Sequence, residues 1–161
     1  MNASPHGAAV EDARGWALAA PGVYPRVMSS DPIAHHASSV YTPPGYSHAI
    51  QAGGLIFISG QVALDADGSV VGTGDMAAQA RQAFRNLGAV LEAAGSSFAD
   101  VVKLTYFVRD VSSVGAIRVV RDEFVDVSRP PASTLVEVSR LFMPELLIEI
   151  EAVAAVRQAD M

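Results

Sequence analysis

The chain has 161 residues, 50% of them hydrophobic and 17% charged, with a formal net charge of -6, which suits about one folded domain with its own core. It contains no cysteine, which excludes disulfide frameworks, thiolate nucleophiles and thiolate metal sites together. Its single lysine, Lys103, and its acidic balance disfavour nucleic acid as a partner, and no apolar run approaches the ~18–20 residues that span a bilayer.

Residues 1–40 are rich in Ala, Ser, Pro and Gly and show neither helical nor strand periodicity, so they read as an N-terminal extension, flexible or partly docked. Trp16, Val23, Tyr24 and Val27 are the residues that would dock, since they are costly to leave in water. Asn2, Pro5, Glu11 and Asp12 precede only the short apolar stretch Trp16–Ala20, without the basic lead-in of a secretory signal, so a cytoplasmic location is expected. Met28 is a second candidate start. His35 and His36 are adjacent without a third ligand nearby and read as solvated loop residues; no metal site is expected.

A single domain is read over 41–161. His48–Ala52 and Leu55–Leu64 are strands around the hairpin signal Gly53-Gly54. Asp65-Ala66-Asp67-Gly68 is a second turn, because Asp supplies side-chain acceptors and Gly the positive φ of a tight reversal. Asp75 caps a helix through about Ala94, stopped by Gly95, with Ala80, Phe84, Leu87 and Leu91 on one stripe and Arg81, Arg85 and Glu92 opposite. Val101–Arg109 alternates as a strand, and Ser113–Val127 is a second helix burying Ile117, Val120 and Phe124. Pro130-Pro131 ends that region, and Thr134–Ser139 and Leu146–Val156 are two further strands. The order β-β-α-β-α-β-β gives an α+β domain with helices on one face of a mixed sheet. Val136, Val138, Ile148, Ile150 and Val153 are read on the other face, apolar enough to call for oligomerisation.

Five segments in fixed order resemble the reactive-intermediate (enamine/imine) deaminase, or Rid, family, also known as the YjgF-like or endoribonuclease L-PSP-like family. They are Pro44-Gly45-Tyr46-Ser47-His48-Ala49, Phe57-Ile58-Ser59-Gly60-Gln61, Gln79-Ala80-Arg81-Gln82-Ala83, Pro131-Ala132-Ser133-Thr134-Leu135-Val136-Glu137-Val138 and Ile148-Glu149-Ile150-Glu151-Ala152. The likeness covers roughly residues 41–156. It implies a chorismate-mutase-like fold assembled as a homotrimer, small-molecule sites in clefts between subunits, and hydrolysis of enamines or imines to ketones and ammonia with no cofactor.

Glu149 matches the family's water-activating carboxylate, and on an otherwise apolar strand desolvation would raise its pKa toward the working range of a general base. Read from the residues alone, it is also an ordinary strand glutamate sharing a face with Glu151. Ser59 and Gly60 are candidate substrate contacts, since glycine lets a ligand approach the backbone; a bulge is the alternative. Tyr46 matches a pocket tyrosine, and Leu135 falls within the matched Pro131–Val138 segment as a further candidate contact. His48 stands where the family commonly has glutamine, either as a proton carrier or facing solvent on an edge strand.

The resemblance also exposes a departure. Family members acting on amino-acid-derived imines carry an arginine two residues after the first proline of a Pro-Ala-Arg-Ser-like motif, and Ser133 occupies that position here. Serine cannot make the bidentate grip of guanidinium on carboxylate. Arg118, where the family often has asparagine, and Arg121 are the residues that could supply the charge from the second helix; Arg118 also reads as a surface pair with Asp122, and Arg121 as packing by its stem. The expectation is an imine or enamine deaminase with an atypical substrate. The alternatives are a non-catalytic trimer that binds a small metabolite or protects another protein, and a ribonuclease role, which the acidic charge opposes.

Overall fold

The computed structural model describes residues 31–42 and 44–157, together with the backbone of two short strands nearer the N-terminus. Those two, β1 (Val10–Glu11) and β2 (Ala17–Leu18), pair antiparallel and form a unit of their own. Trp16, Val23, Tyr24, Val27 and Met28, singled out from sequence, lie outside the described residues.

The main unit is a six-stranded sheet with two helices. Its strands are β3 (Ile33–His35), β4 (Ala49–Ala52), β5 (Leu55–Val62), β6 (Val101–Val108), β7 (Ala132–Glu137) and β8 (Ile148–Ala155), in the order β3-β4-β5-β8-β6-β7. All neighbours are antiparallel except β6 and β7, which are joined by the helical crossover that parallel pairing requires. The sheet thus begins at Ile33, before the expected body at Tyr41. β3 is too short for a periodic signal, and its side chains are largely exposed; it is held by backbone pairing to β4 and by His35 Nε2 against Gln51 Oε1 at 3.2 Å.

The Gly53-Gly54 hairpin forms as expected, with φ of 59° and 80° suiting the mirror-image turns that match strand twist. In the second turn Asp65 Oδ1 accepts from the N–H groups of Asp67 and Ser69 at 3.0 and 2.8 Å. Helix α1 (Met76–Ala93) starts where Asp75 Oδ1 accepts from Ala78 N–H at 3.0 Å, and Gly95 follows its end at φ 70°.

Helix α2 (Val114–Arg121) is shorter than the expected Ser113–Val127. Beyond Arg121 the bonds tighten to three-residue spacing, Glu123 N–H to Val120 O and Phe124 N–H to Arg121 O. That turn brings Phe124 flat against Phe84, with ring centroids 5.2 Å apart. Side-chain packing overrides helix continuation there.

The core lies between the helices and one sheet face. Phe84, Leu87 and Leu91 of α1 are fully buried, each contributing about 1.5–3 kcal/mol by leaving water. β8 alternates strictly, and Ile148 and Ile150 point into this core. Their expected place on the open face is therefore corrected: the strand's even positions, not its odd ones, meet the helices. The open face carries Glu149, Glu151 and Val153 from β8, beside Phe57 and Val136, which are 48% and 40% exposed. No described helix is long and apolar enough to cross a membrane.

Candidate functional site

Glu149 is the second residue of β8, and the strand's alternation sets it on the open face between buried Ile148 and Ile150. The neighbouring strand β5 slips register between Ile58 and Gln61, a bulge that falls on Ser59-Gly60. Gly60 needs no positive φ; what it supplies is space, because a Cβ there would stand 1.8 Å from Glu149 Oε1. The missing side chain is the berth of the carboxylate.

Glu149 opens on a cavity of about 350 Å³ lined by Tyr46, Ser59, Gly60 and Phe142. Burial pushes the Glu149 carboxyl above its ordinary range, and Glu151 on the same face adds to the shift. The Tyr46 phenol is also raised, by burial first and then by Glu149 and Tyr41. A carboxyl made more basic, beside a phenol that stays protonated, can accept a proton from water and return it to a leaving group.

Polar residues of α1 hold the ends of the two strands that carry this site. Gln79, fully buried, donates to Glu145 O at 2.8 Å and accepts from Leu147 N–H at 2.8 Å, fixing the entry to β8. Asn86 donates to Val62 O and Leu64 O, both at 2.9 Å, fixing the exit of β5. Ser59 spends its hydroxyl hydrogen on Ser47 O at 2.7 Å, which ties the loop carrying Tyr46 to the bulge.

Four residues expected from sequence, Glu149, Tyr46, Ser59 and Gly60, are thus brought together. The other four are elsewhere. His48 is 1% exposed and does not line the Glu149 cavity: its Nδ1 accepts from Ala37 N–H at 3.1 Å, and its Nε2 lies 3.1 Å from Thr42 Oγ1 and 3.2 Å from Tyr41 O. Burial lowers its pKa, partly offset by the Tyr41 carbonyl. Ser133 pairs with Leu104 on the helix-covered side and lines a second cavity of about 220 Å³ with Tyr106 and Arg121. Leu135 packs against the core, and Arg118 is exposed and lines neither cavity. Asp122 pairs with Arg121 at 2.6 Å.

Sequence reading missed Phe142, an exposed aromatic in the irregular stretch before β8, which carries no periodic signal. It also gave Gln79 and Asn86 no role. Their signal was present: both are polar residues at buried positions of an apolar helical stripe, where an unpaired amide would be costly.

Fold and site together define the class: an α+β domain with a partly buried carboxylate poised at a cavity of small-molecule size. The family model described as Endoribonuclease L-PSP matches residues 37–156, and the chain belongs to that family. A RutC family protein from Synechocystis is 40% identical over 110 residues, 68% of this chain and 84% of that protein. A Salmonella typhimurium protein named 2-iminobutanoate/2-iminopropanoate deaminase is 36% identical over 114 residues, 70% of this chain and 88% of that one. Among solved structures, the Rid family protein YyfA from Yersinia pestis superposes with a TM-score of 0.74 at 30% identity, covering 78% of this chain and 100% of that one.

Proposed function

We propose that this protein hydrolyses the C=N bond of a small imine, or of an enamine after tautomerisation, to a carbonyl compound and ammonia. The observation that carries the reading is the Glu149 carboxyl, made more basic by burial and seated in the space that Gly60 leaves open beside a cavity of about 350 Å³. Glu149 takes a proton from water as the water oxygen bonds to the imine carbon and the C=N electron pair moves to nitrogen. The same carboxyl then protonates the amine nitrogen. Glu149, ionised again, takes the hydroxyl proton as the C=O bond closes and passes it to the departing nitrogen as the C–N bond breaks, so the amine leaves as ammonia. Tyr46, protonated and half-exposed at the rim, orients the substrate. The deaminase names among the relatives support this chemistry at the level of the family.

The active form in this reading is a homotrimer with its sites in clefts between subunits, in the cytoplasm, using neither metal nor organic cofactor. The open sheet face, with Phe57 and Val136 in part exposed, supports a covering subunit. Ser133 in place of the family arginine points to a substrate held differently from the usual imino acid. It also favours a second reading, a non-catalytic metabolite-binding trimer that uses the same cavity.

Ammonia release from imines generated in situ, compared for the wild type and Glu149→Gln, separates the two. The deaminase reading expects catalysed release by the wild type and a drop of about 100-fold or more in the variant, typical of losing a general base. Wild-type release at the buffer rate across a broad imine panel would leave the binding protein.

A further inference from the structure

The second cavity has one charge at its edge. Arg121, the last residue of α2, lines it together with Tyr106, Ser133 and the apolar side chains Val125, Val127 and Pro131. Among the described residues that line it, no other is charged. Among the described residues the guanidinium is held from one side only: Nε and Nη2 both donate to Asp122 Oδ1, at 2.8 and 2.6 Å, which leaves its other N–H groups to face a ligand. Tyr106 is 3% exposed, and its buried hydroxyl has no hydrogen-bond partner among the described residues. A buried hydroxyl left so costs about 1–3 kcal/mol, which an acceptor oxygen arriving nearby would relieve. Burial pushes the Tyr106 phenol up to about 12, so it stays a donor at neutral pH. The end of α2 is the negative end of its dipole and would repel an anion, so any attraction has to come from Arg121.

We propose that Arg121 is the specificity residue for an acidic group, binding a ligand carboxylate beside Ser133 in place of the arginine that Ser133 replaces. The preferred ligand is a small monocarboxylate whose short apolar substituent sits on Val125, Val127 and Pro131. In the Glu149 cavity that group would meet the like charge of the Glu149 carboxylate, which disfavours it there. Ser133 lies on the helix side of the sheet and Glu149 on the open side, so one small substrate reaches both only across two copies of the chain. In that respect the inference rests on the intersubunit reading above.

The test is binding of sodium isobutyrate against its neutral isostere isobutyramide to the full chain, followed by NMR chemical-shift titration. The wild type and Glu149→Gln should both prefer the carboxylate by about tenfold or more, as a charge-assisted bidentate contact gives. Arg121→Ala should abolish the preference, Arg121→Lys should restore part of it, and Arg118→Ala should keep it. Thermal unfolding and Arg121→Gln serve as folding controls. No preference in the wild type, or one that survives in Arg121→Ala, overturns the assignment. Because the readout needs no turnover, failure of deamination leaves this result standing, and the reverse also holds.

Discussion

Gly60→Ala isolates the geometry of the site from its chemistry. The new methyl would start 1.8 Å from Glu149 Oε1, 2.7 Å from Cδ and 2.9 Å from Cγ, against an ordinary contact of 3.4 Å or more. The carboxylate must therefore retreat by about 1.5 Å, by swinging the side chain as a whole. The swing costs about 1 kcal/mol at most, since the cavity is open on one side, and alanine returns about 0.4–1 kcal/mol by restricting the unfolded chain. Gly60 does not sit at positive φ, so backbone strain adds nothing. Net stability should change little. Activity should not survive so well, because a misplacement of about 1 Å costs about 100-fold in rate. Chemical denaturation with ammonia-release kinetics separates the two effects. A folded Gly60→Ala with wild-type kcat would refute the placement of Glu149 as the reacting group.

Other expectations follow from the same contacts. Glu149 holds its proton above the ordinary 4.5 in the folded protein, so between 4.5 and the raised value the native state keeps a proton the unfolded chain has lost. Its contribution to stability falls as pH rises through that window, and Glu149→Gln should gain Tm relative to the wild type as pH rises above the ordinary 4.5; an unchanged difference would count against the burial of the carboxylate. His48 shows the opposite sign: its lowered pKa means stability is lost as pH falls below the ordinary 6.5, and nitrogen NMR should find the proton on Nε2, with Nδ1 accepting from Ala37. Gln79→Met leaves Leu147 N–H and Glu145 O unpaired and should cost about 2–4 kcal/mol by urea denaturation, with kcat falling as β8 loosens.

The parts of the fold legible in the sequence were those written locally. Asp75 and Gly95 bracket α1, Gly53-Gly54 and Asp65–Gly68 mark turns, and β6 and β8 alternate. What escaped depends on partners distant in sequence. β3 exists because β4 offers it an edge, and α2 stops early because Phe124 finds Phe84. Ile148 and Ile150 cannot share a side with Val153, which stands an odd number of residues away on the same alternating strand, so grouping them by apolarity alone put the two isoleucines on the wrong face. In the site, Glu149 and Gly60 were read separately, while their mutual fit across a bulge is a property of pairing β5 with β8. His48 looked like a proton carrier by type, and only its bonds to Ala37, Tyr41 and Thr42 show how the ring is engaged.

In the proposed reaction Glu149 is the group that moves the proton in C=N hydrolysis. The most direct test sets the pH profile of kcat/KM for imine hydrolysis beside the titration of the Glu149 side-chain carboxyl, followed by carbon NMR in the same protein. The acid limb should coincide with that titration, lie above the ordinary carboxylate value of 4.5, and be absent in Glu149→Gln. A limb that stays in place without Glu149, or a Glu149 midpoint at the ordinary value, would contradict that role.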